Sequence, residues 1–335
     1  ASSSQQHGHS KDFERGFDVT ATTARPHEKY DRLIAVARTH SPMVTAIVHP
    51  CDTVSLESAV LAASSGLLKP ILVGPPARVL DVARKASLDI GAFEIVDSKH
   101  SHDSAAKAVE LVRCGRVEAL MKGSLHTDEL MGAVVSRTDG IRTARRISHC
   151  FVMDVPGHDQ ALIISDAAVN IAPALEDKVD IVQNAIDLAQ ALDIAEPRVA
   201  ILSAMETVNA KVASTIDAAA LCKMAERGQI RGGILDGPLA LDNAINVEAA
   251  AIKNIVSPVA GRADVLIVPD LEAGNMLAKS LTFLAGADAA GIVIGARVPI
   301  ILTSRADSVT TRLASCAVAC LVAAARRANA ATAIP

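Results

Sequence analysis

From Glu28 onward, short apolar runs rich in Val and Ile alternate with longer segments of helical period. The runs Met43–His49, Pro70–Gly74, Phe93–Asp97 and Val117–Met121 are each five to seven residues long by position, and an amphipathic stretch follows each of the first three. This is the signature of βα units, whose strands lie in a sheet covered by helices on both faces. Aromatic residues are only 2% of the chain, with no Trp and one Tyr, so the cores must be built from Ala, Val, Leu and Ile. Strands of that composition suit burial on both faces of a parallel sheet.

The alternation changes character near Arg145–Asp154. His149–Asp154 and Ala161–Ser165 read as a hairpin closed through Pro156-Gly157. The βα pattern then returns with helix Glu176–Leu192, strand Arg198–Ser203, helix Val208–Arg227 and strand Gly232–Leu235. Strand Ala263–Val268 and helix Gly274–Leu284 follow, then strands Gly291–Ile294 and Pro299–Thr303 and a final helix Ser308–Arg327. A length of 335 residues accommodates two α/β domains. The expected division is 25–147 plus 291–330 for domain I and 148–290 for domain II. Residues 1–24, polar and rich in Ser and His, read as a linker or tag.

Composition excludes several classes. A net charge of −4 with few aromatics gives neither the field nor the stacking platforms of a nucleic-acid binder. No apolar run reads as long enough to span a membrane, and no secretory signal is recognised. Six scattered cysteines without a C-x-x-C pair read as reduced thiols, which places the chain in the cytoplasm. There is no P-loop, no G-x-G-x-x-G after a strand, no H-E-x-x-H and no nucleophile elbow.

The polar residues gather behind the strands, where open α/β sheets bind ligands. Lys122-Gly123-Ser124 and His126-Thr127 follow one strand. Gly237 to Asp242 follow another, and Asp270 to Asn275 and Ser304-Arg305 follow two more. Any one of these reads as an ordinary polar loop. Together they read as the walls of a cleft. Ser304-Arg305 stands before a helix, whose N-terminus attracts anions, and Arg adds a planar fork matched to phosphate. The plainer reading makes Ser304 or Asp307 a helix cap and leaves Arg305 in solvent. The arginines 137, 142, 145 and 146 read equally as a second anion contact or as a solvated turn.

These stretches resemble the phosphate acetyl/butyryl transferase family. The matching segments are Met121-Lys122-Gly123 with His126-Thr127, Gly237-Pro238-Leu239-Ala240 with Asp242, Val268 to Asn275 with Lys279, and Leu302 to Ser308. In detail they look closer to the butyryl-type branch, and to a domain found fused behind hydratase domains. The resemblance implies two α/β domains around a cleft, the second inserted in the first, and a homodimer without metal or resident cofactor. Its substrates would be acyl-CoA, inorganic phosphate and acyl phosphate, with direct acyl transfer between them.

By that resemblance Arg305 binds phosphate and Ser304 donates to the oxyanion. Lys122, Gly123, Ser124, His126 and Thr127 line the phosphate side, and Gly237, Asp242, Asn275 and Lys279 shape the other wall. Two departures stand out. Thr311 occupies the place of an aspartate proposed as a base in acetyl-type members, and Gly132 the place of an arginine. Two rival expectations are a metal- and NAD(P)-dependent decarboxylating dehydrogenase, with Asp236, Asp242 and Asp270 as ligands, and a non-catalytic acyl-CoA-binding module.

Overall fold

The computed structural model describes residues 27–303 and 307–332. The first half carries α1 (Glu28–Ala37), β1 (Met43–Val48), α2 (Thr53–Ser64), β2 (Leu68–Gly74) and α3 (Pro76–Lys85). It continues with β3 (Glu94–Asp97), α4 (Ser101–Arg113), β4 (Ala119–Lys122) and α5 (Thr127–Val134). The second half carries β5 (Ser148–Asp154), β6 (Leu162–Ser165), α6 (Leu175–Ala191), β7 (Arg198–Leu202) and α7 (Ala213–Glu226). It goes on through β8 (Ile234–Leu239), α8 (Leu241–Ile245), α9 (Val247–Ile252), β9 (Val265–Ile267) and α10 (Leu271–Leu284). The chain then returns through β10 (Asp288–Ile294), β11 (Ile300–Ile301) and α11 (Val309–Thr332).

Local chemistry sets these boundaries. The Asp52 carboxylate accepts from the Ser55 N–H at 2.8 Å and starts α2. Gly66 and Gly115, at φ +75° and +69°, end α2 and α4 in the left-handed conformation that glycine adopts freely.

All eleven strands join one sheet in the order β3-β2-β1-β4-β11-β10-β5-β6-β9-β7-β8. β3, β2, β1, β4 and β11 are parallel. β10 runs antiparallel to both β11 and β5, and β5 pairs antiparallel with β6 as the expected hairpin. β6, β9, β7 and β8 are again parallel to one another. The result is a mixed α/β fold of two doubly wound halves joined through the β10–β5 ladder. Gly291, the expected division point, sits inside β10 and pairs with Phe151.

One apolar core runs under both halves on one face, uniting Leu56 of α2, Val182 of α6, Leu221 of α7 and Ala317 of α11. The opposite face has two separate cores, one under α4 and α5 and one under α8 to α10. As expected, aliphatic residues fill them. Tyr30 is the aromatic exception: it is fully buried, its hydroxyl donates to the Val152 carbonyl at 2.7 Å and accepts from the Ala290 N–H at 2.8 Å. That pins α1 onto facing positions of β5 and β10.

Three expectations change. β8 runs on through Leu239, so Gly237-Pro238 lies in the strand rather than in a loop after it. β8 is an edge strand, where a proline costs no ladder bond on its open side. The short helices α5, α8 and α9 were not anticipated, because runs of five to eight residues carry too little period to read. Finally, α11 is long and apolar enough to cross a membrane by length and composition, with mean hydropathy reaching 1.4 in an 18-residue window within Val309–Ala330. Its apolar residues Ala314 and Cys316–Ala323 are buried in the shared core, which accounts for that composition.

Candidate active site at the strand ends

In the first half, β1, β2, β3, β4 and β11 end on one edge, and α2, α3, α4, α5 and α11 begin after them. The best-defined point is where the loop after β4 crosses the end of β1. The Gly123 N–H donates to Val48 O and the Ser124 N–H to His49 O, each at 2.9 Å. The Ser124 hydroxyl also donates to His49 O at 2.8 Å and accepts from the Cys51 N–H at 3.2 Å. A Cβ on Gly123 would stand 2.4 Å from Val48 O and 2.7 Å from His49 O, so only glycine allows this approach. Lys122, the last residue of β4, carries its half-buried ammonium out beside this crossing.

The turn depends on His49, a residue sequence reasoning did not single out. Its φ of +57° is unusual for a non-glycine residue. Its side chain is 5% exposed and its Nδ1 lies 2.9 Å from the buried Ser104 hydroxyl, which in turn meets Ser98 at 2.7 Å. Burial, then the nearby Arg78 cation, push the imidazole below its ordinary pKa, so it stays neutral at pH 7. A histidine-proline pair directly behind an apolar strand was the available signal.

His126 and Thr127 are exposed at the start of α5. The His126 N–H donates to Glu129 Oε2 at 2.8 Å, and Glu129 Oε1 accepts from the Ser101 hydroxyl at 2.7 Å. These bonds, Ser101 first, hold the Glu129 carboxyl below its usual range and tie the starts of α4 and α5 together.

β11 lies beside β4, with Ile301 opposite Met121, so the connection leaving β11 starts next to Lys122. Ser304 and Arg305 belong to that connection and lie outside the described residues. The hydroxyl that caps α11 is that of Ser308, which accepts from the Thr311 N–H at 3.0 Å.

The remaining candidates sit in the second half. Gly237 packs against β7, where a Cβ would come within 2.8 Å of Ile201. Asp242 is exposed on α8. Asp270 caps α10 by accepting from the Ala273 N–H at 2.8 Å. Gly274 lets α10 lie on the loop after β6, where a Cβ would meet Asp166 O at 2.8 Å, and Asn275 donates to Ala167 O at 3.2 Å. Much of the Val268–Asn275 segment is therefore explained by docking α10. Lys279 is exposed on α10, one helical turn past Asn275 and three residues past Met276.

Two of the four arginines are committed elsewhere: Arg145 pairs with Asp187, and Arg146 with Asp177 at 2.7 Å. Among the described residues no group of three or more His, Cys, Asp or Glu is placed to hold a metal ion, and Asp270 is used as a cap.

A βα sheet whose strand ends present a lysine–glycine–serine crossing, beside the start of a connection that leads into a helix, has the layout that open α/β enzymes use to hold ligands. The comparisons narrow this. The family model described as "Phosphate acetyl/butaryl transferase" matches residues 98–320. A phosphate acetyltransferase of Rhizobium meliloti is 69% identical over 300 residues, covering 90% of this chain and 95% of that protein. A phosphate butyryltransferase of Clostridium beijerinckii is 40% identical over 297 residues, covering 89% and 98%. A branched-chain phosphotransacylase from Enterococcus faecalis V583 superposes with a TM-score of 0.73 at 28% identity, over 84% of this chain and 99% of that one. The chain belongs to the phosphate acetyl/butyryl transferase family, and it is an acyltransferase. By identity it stands nearer the R. meliloti acetyltransferase than the C. beijerinckii butyryltransferase.

Proposed function

We propose that this protein transfers a short acyl group reversibly between coenzyme A and inorganic phosphate, by direct attack within a ternary complex. The observation that carries this reading is the pairing of β4 with β11, which starts the Ser304-Arg305 connection next to Lys122-Gly123-Ser124. A phosphate oxygen attacks the thioester carbonyl carbon, forming the C–O bond. The tetrahedral adduct then expels sulfur, breaking the C–S bond, and the thiolate takes the proton that hydrogen phosphate gives up as it becomes acyl phosphate. Holding the two reactants together supplies much of the rate. Fixed donors stabilise the oxyanion.

Arg305 grips phosphate or acyl phosphate, and Ser304 donates to the oxyanion. Lys122 supplies a point charge, and Ser124, His126 and Thr127 supply polar contacts on the phosphate side. Gly123 gives the loop its close approach. Gly237, Asp242, Asn275 and Lys279 form the opposing wall. β8 lies seven strand pairings from β4. At about 20–25° of twist per pair, the sheet turns by about 140–175° over that distance. The second half runs opposite to the first in the ladder, so this rotation brings its strand ends back toward the same side.

Residues 25–147 with 291–330 act as one domain and 148–290 as the other. Both reactive groups arrive with the substrates, so no resident cofactor is needed. Met276, Phe283 and Leu284 leave an apolar stripe on α10 at 63%, 79% and 87% exposure, which suits a second copy of this chain in a cytoplasmic homodimer.

The test is metal-free release of coenzyme A from acetyl-CoA and butyryl-CoA, with and without phosphate. Phosphate-dependent release is expected, and the ratio of rates assigns the acyl group. Arg305→Ala should lose most of the rate while the fold is kept. Ligand binding without turnover would instead support a non-catalytic module.

A further inference from the structure

A cavity of about 340 Å³ lies between α2 and the first turns of α11, within the roughly 300–1,000 Å³ of small-molecule sites. Its walls are mainly aliphatic: Val60 and Leu61 from α2, Leu88 from the turn after α3, and Val309 and Leu313 from α11. Spacing accounts for this. Val309, Arg312 and Leu313 fall on one face of α11, and Glu57, Val60, Leu61 and Ser64 fall on one face of α2. The two faces approach without closing.

Arg312 also lines this space, and its Nη1 is buried with no hydrogen-bond partner. A buried guanidinium N–H left unpaired costs free energy that an anionic oxygen would recover. A planar, permanently charged fork is matched to carboxylate or phosphate. Aliphatic walls around that cation demand a second feature in the occupant, a short hydrocarbon tail. Among the described residues Glu57 is the only acid on the lining, and it is exposed, so it sets a modest repulsion at the rim.

We infer that this cavity is a binding site, separate from the strand-end site, for an anionic head group carried on a short aliphatic tail. Acyl phosphates have both features, and so do the carboxylates they hydrolyse to. The site lies against the first turn of α11, directly after the Ser308 cap. Occupancy therefore bears on the helix that follows the Ser304-Arg305 connection.

The experiment is calorimetric titration of acetate, butyrate, butylphosphonate and inorganic phosphate, without coenzyme A, into the wild-type protein and into Arg312→Gln, Arg312→Lys, Glu57→Gln and Leu61→Trp. Butyrate or butylphosphonate should bind measurably, and their relative affinity identifies the head group. Each methylene should add up to about fourfold, so butyrate should exceed acetate by about tenfold. Arg312→Gln should weaken binding by about tenfold or more, Arg312→Lys should restore part of it, Glu57→Gln should strengthen it, and Leu61→Trp should block it. Binding unchanged in Arg312→Gln, affinity independent of the tail, or no binding of either tailed anion overturns the inference. Because the readout is binding, failure of the acyl-transfer assay would leave this result standing, and the reverse holds too.

Discussion

The Thr311 hydroxyl donates to Oδ1 of Asp288 across 2.9 Å, joining the first turn of α11 to the first residue of β10. Ser308 completes the junction, its hydroxyl donating to Thr311 Oγ1 and accepting from the Thr311 N–H, both at 3.0 Å. On the other side Asp288 Oδ2 stands 3.1 Å from His27 Nδ1. Thr311 is 4% exposed. A hydroxyl whose proton is committed to a carboxylate does not serve as a base, so the position that departs from the acetyl-type pattern is a tether here.

Thr311→Val keeps the shape and removes the donor. Hydrogen bonds to charged groups are worth about 1.5–3 kcal/mol, and the partly exposed Asp288 recovers some of this from water. The variant should lose about 1–2 kcal/mol in urea unfolding and keep the acyl-transfer rate within about tenfold. A collapse of the rate with an intact fold would place Thr311 in the chemistry instead.

Gly123→Ala should be far more damaging than its one methyl suggests. The atoms its Cβ would strike are backbone carbonyls of β1, which cannot rotate away. Overpacking of this kind costs about 1–3 kcal/mol. The crossing would shift, carrying Lys122 and Ser124 with it. The expected outcome is a lower unfolding midpoint and a rate loss that higher phosphate only partly restores. Gly132→Ala is the control: no atom lies within 4 Å of its Cβ, so stability should hold or rise slightly.

How far the fold was legible follows from where the information sits. Strands β1 to β4 and helices α1 to α4 could be read because caps and glycines bound the segments, as Asp52 and Gly66 bound α2. The reversal at β10 was not legible. Asp288–Ile294 has the composition of a parallel core strand, and only its pairing with β5 gives its direction. At the site, Lys122-Gly123-Ser124 was found because glycine, charge and hydroxyl coincide in sequence. His49 was not, because its role rests on partners 49 to 75 residues away, Ser98, Ser104 and Ser124. Asp270 and Gly274 were noticed as motif members, yet the cap and the helix contact they make with the β6 loop emerge only in three dimensions.

The six cysteines bear directly on the thiol-release assay. All are free, but burial pushes the Cys150, Cys222 and Cys316 thiols up to about 12 and raises Cys51 and Cys320 as well. Cys114, next to the glycine that ends α4, is exposed. The native protein should therefore show one fast thiol toward a disulfide reagent at pH 8, absent in Cys114→Ser, with the others appearing only on unfolding. Several fast thiols in the Cys114→Ser protein would contradict this burial pattern.

Acid should weaken the fold through His149. The ring is 2% exposed, packs edge-on against Phe151 with centroids 4.4 Å apart, and has a buried Nδ1 without a partner. Burial lowers its pKa from 6.5 to about 4, against a smaller opposing pull from Asp166. The native ring is thus neutral where the unfolded ring takes up a proton, so the unfolded state binds more protons between about pH 6.5 and 4. Stability rises with pH across that window, is fully present above it, and is lost as pH falls through it. The contribution is on the order of 3 kcal/mol. Urea unfolding at pH 7.5, 6 and 5 should show the decline, and His149→Gln, which cannot titrate, should lose less stability over the same range. Equal pH slopes in the two proteins would mean that other groups carry the acid sensitivity.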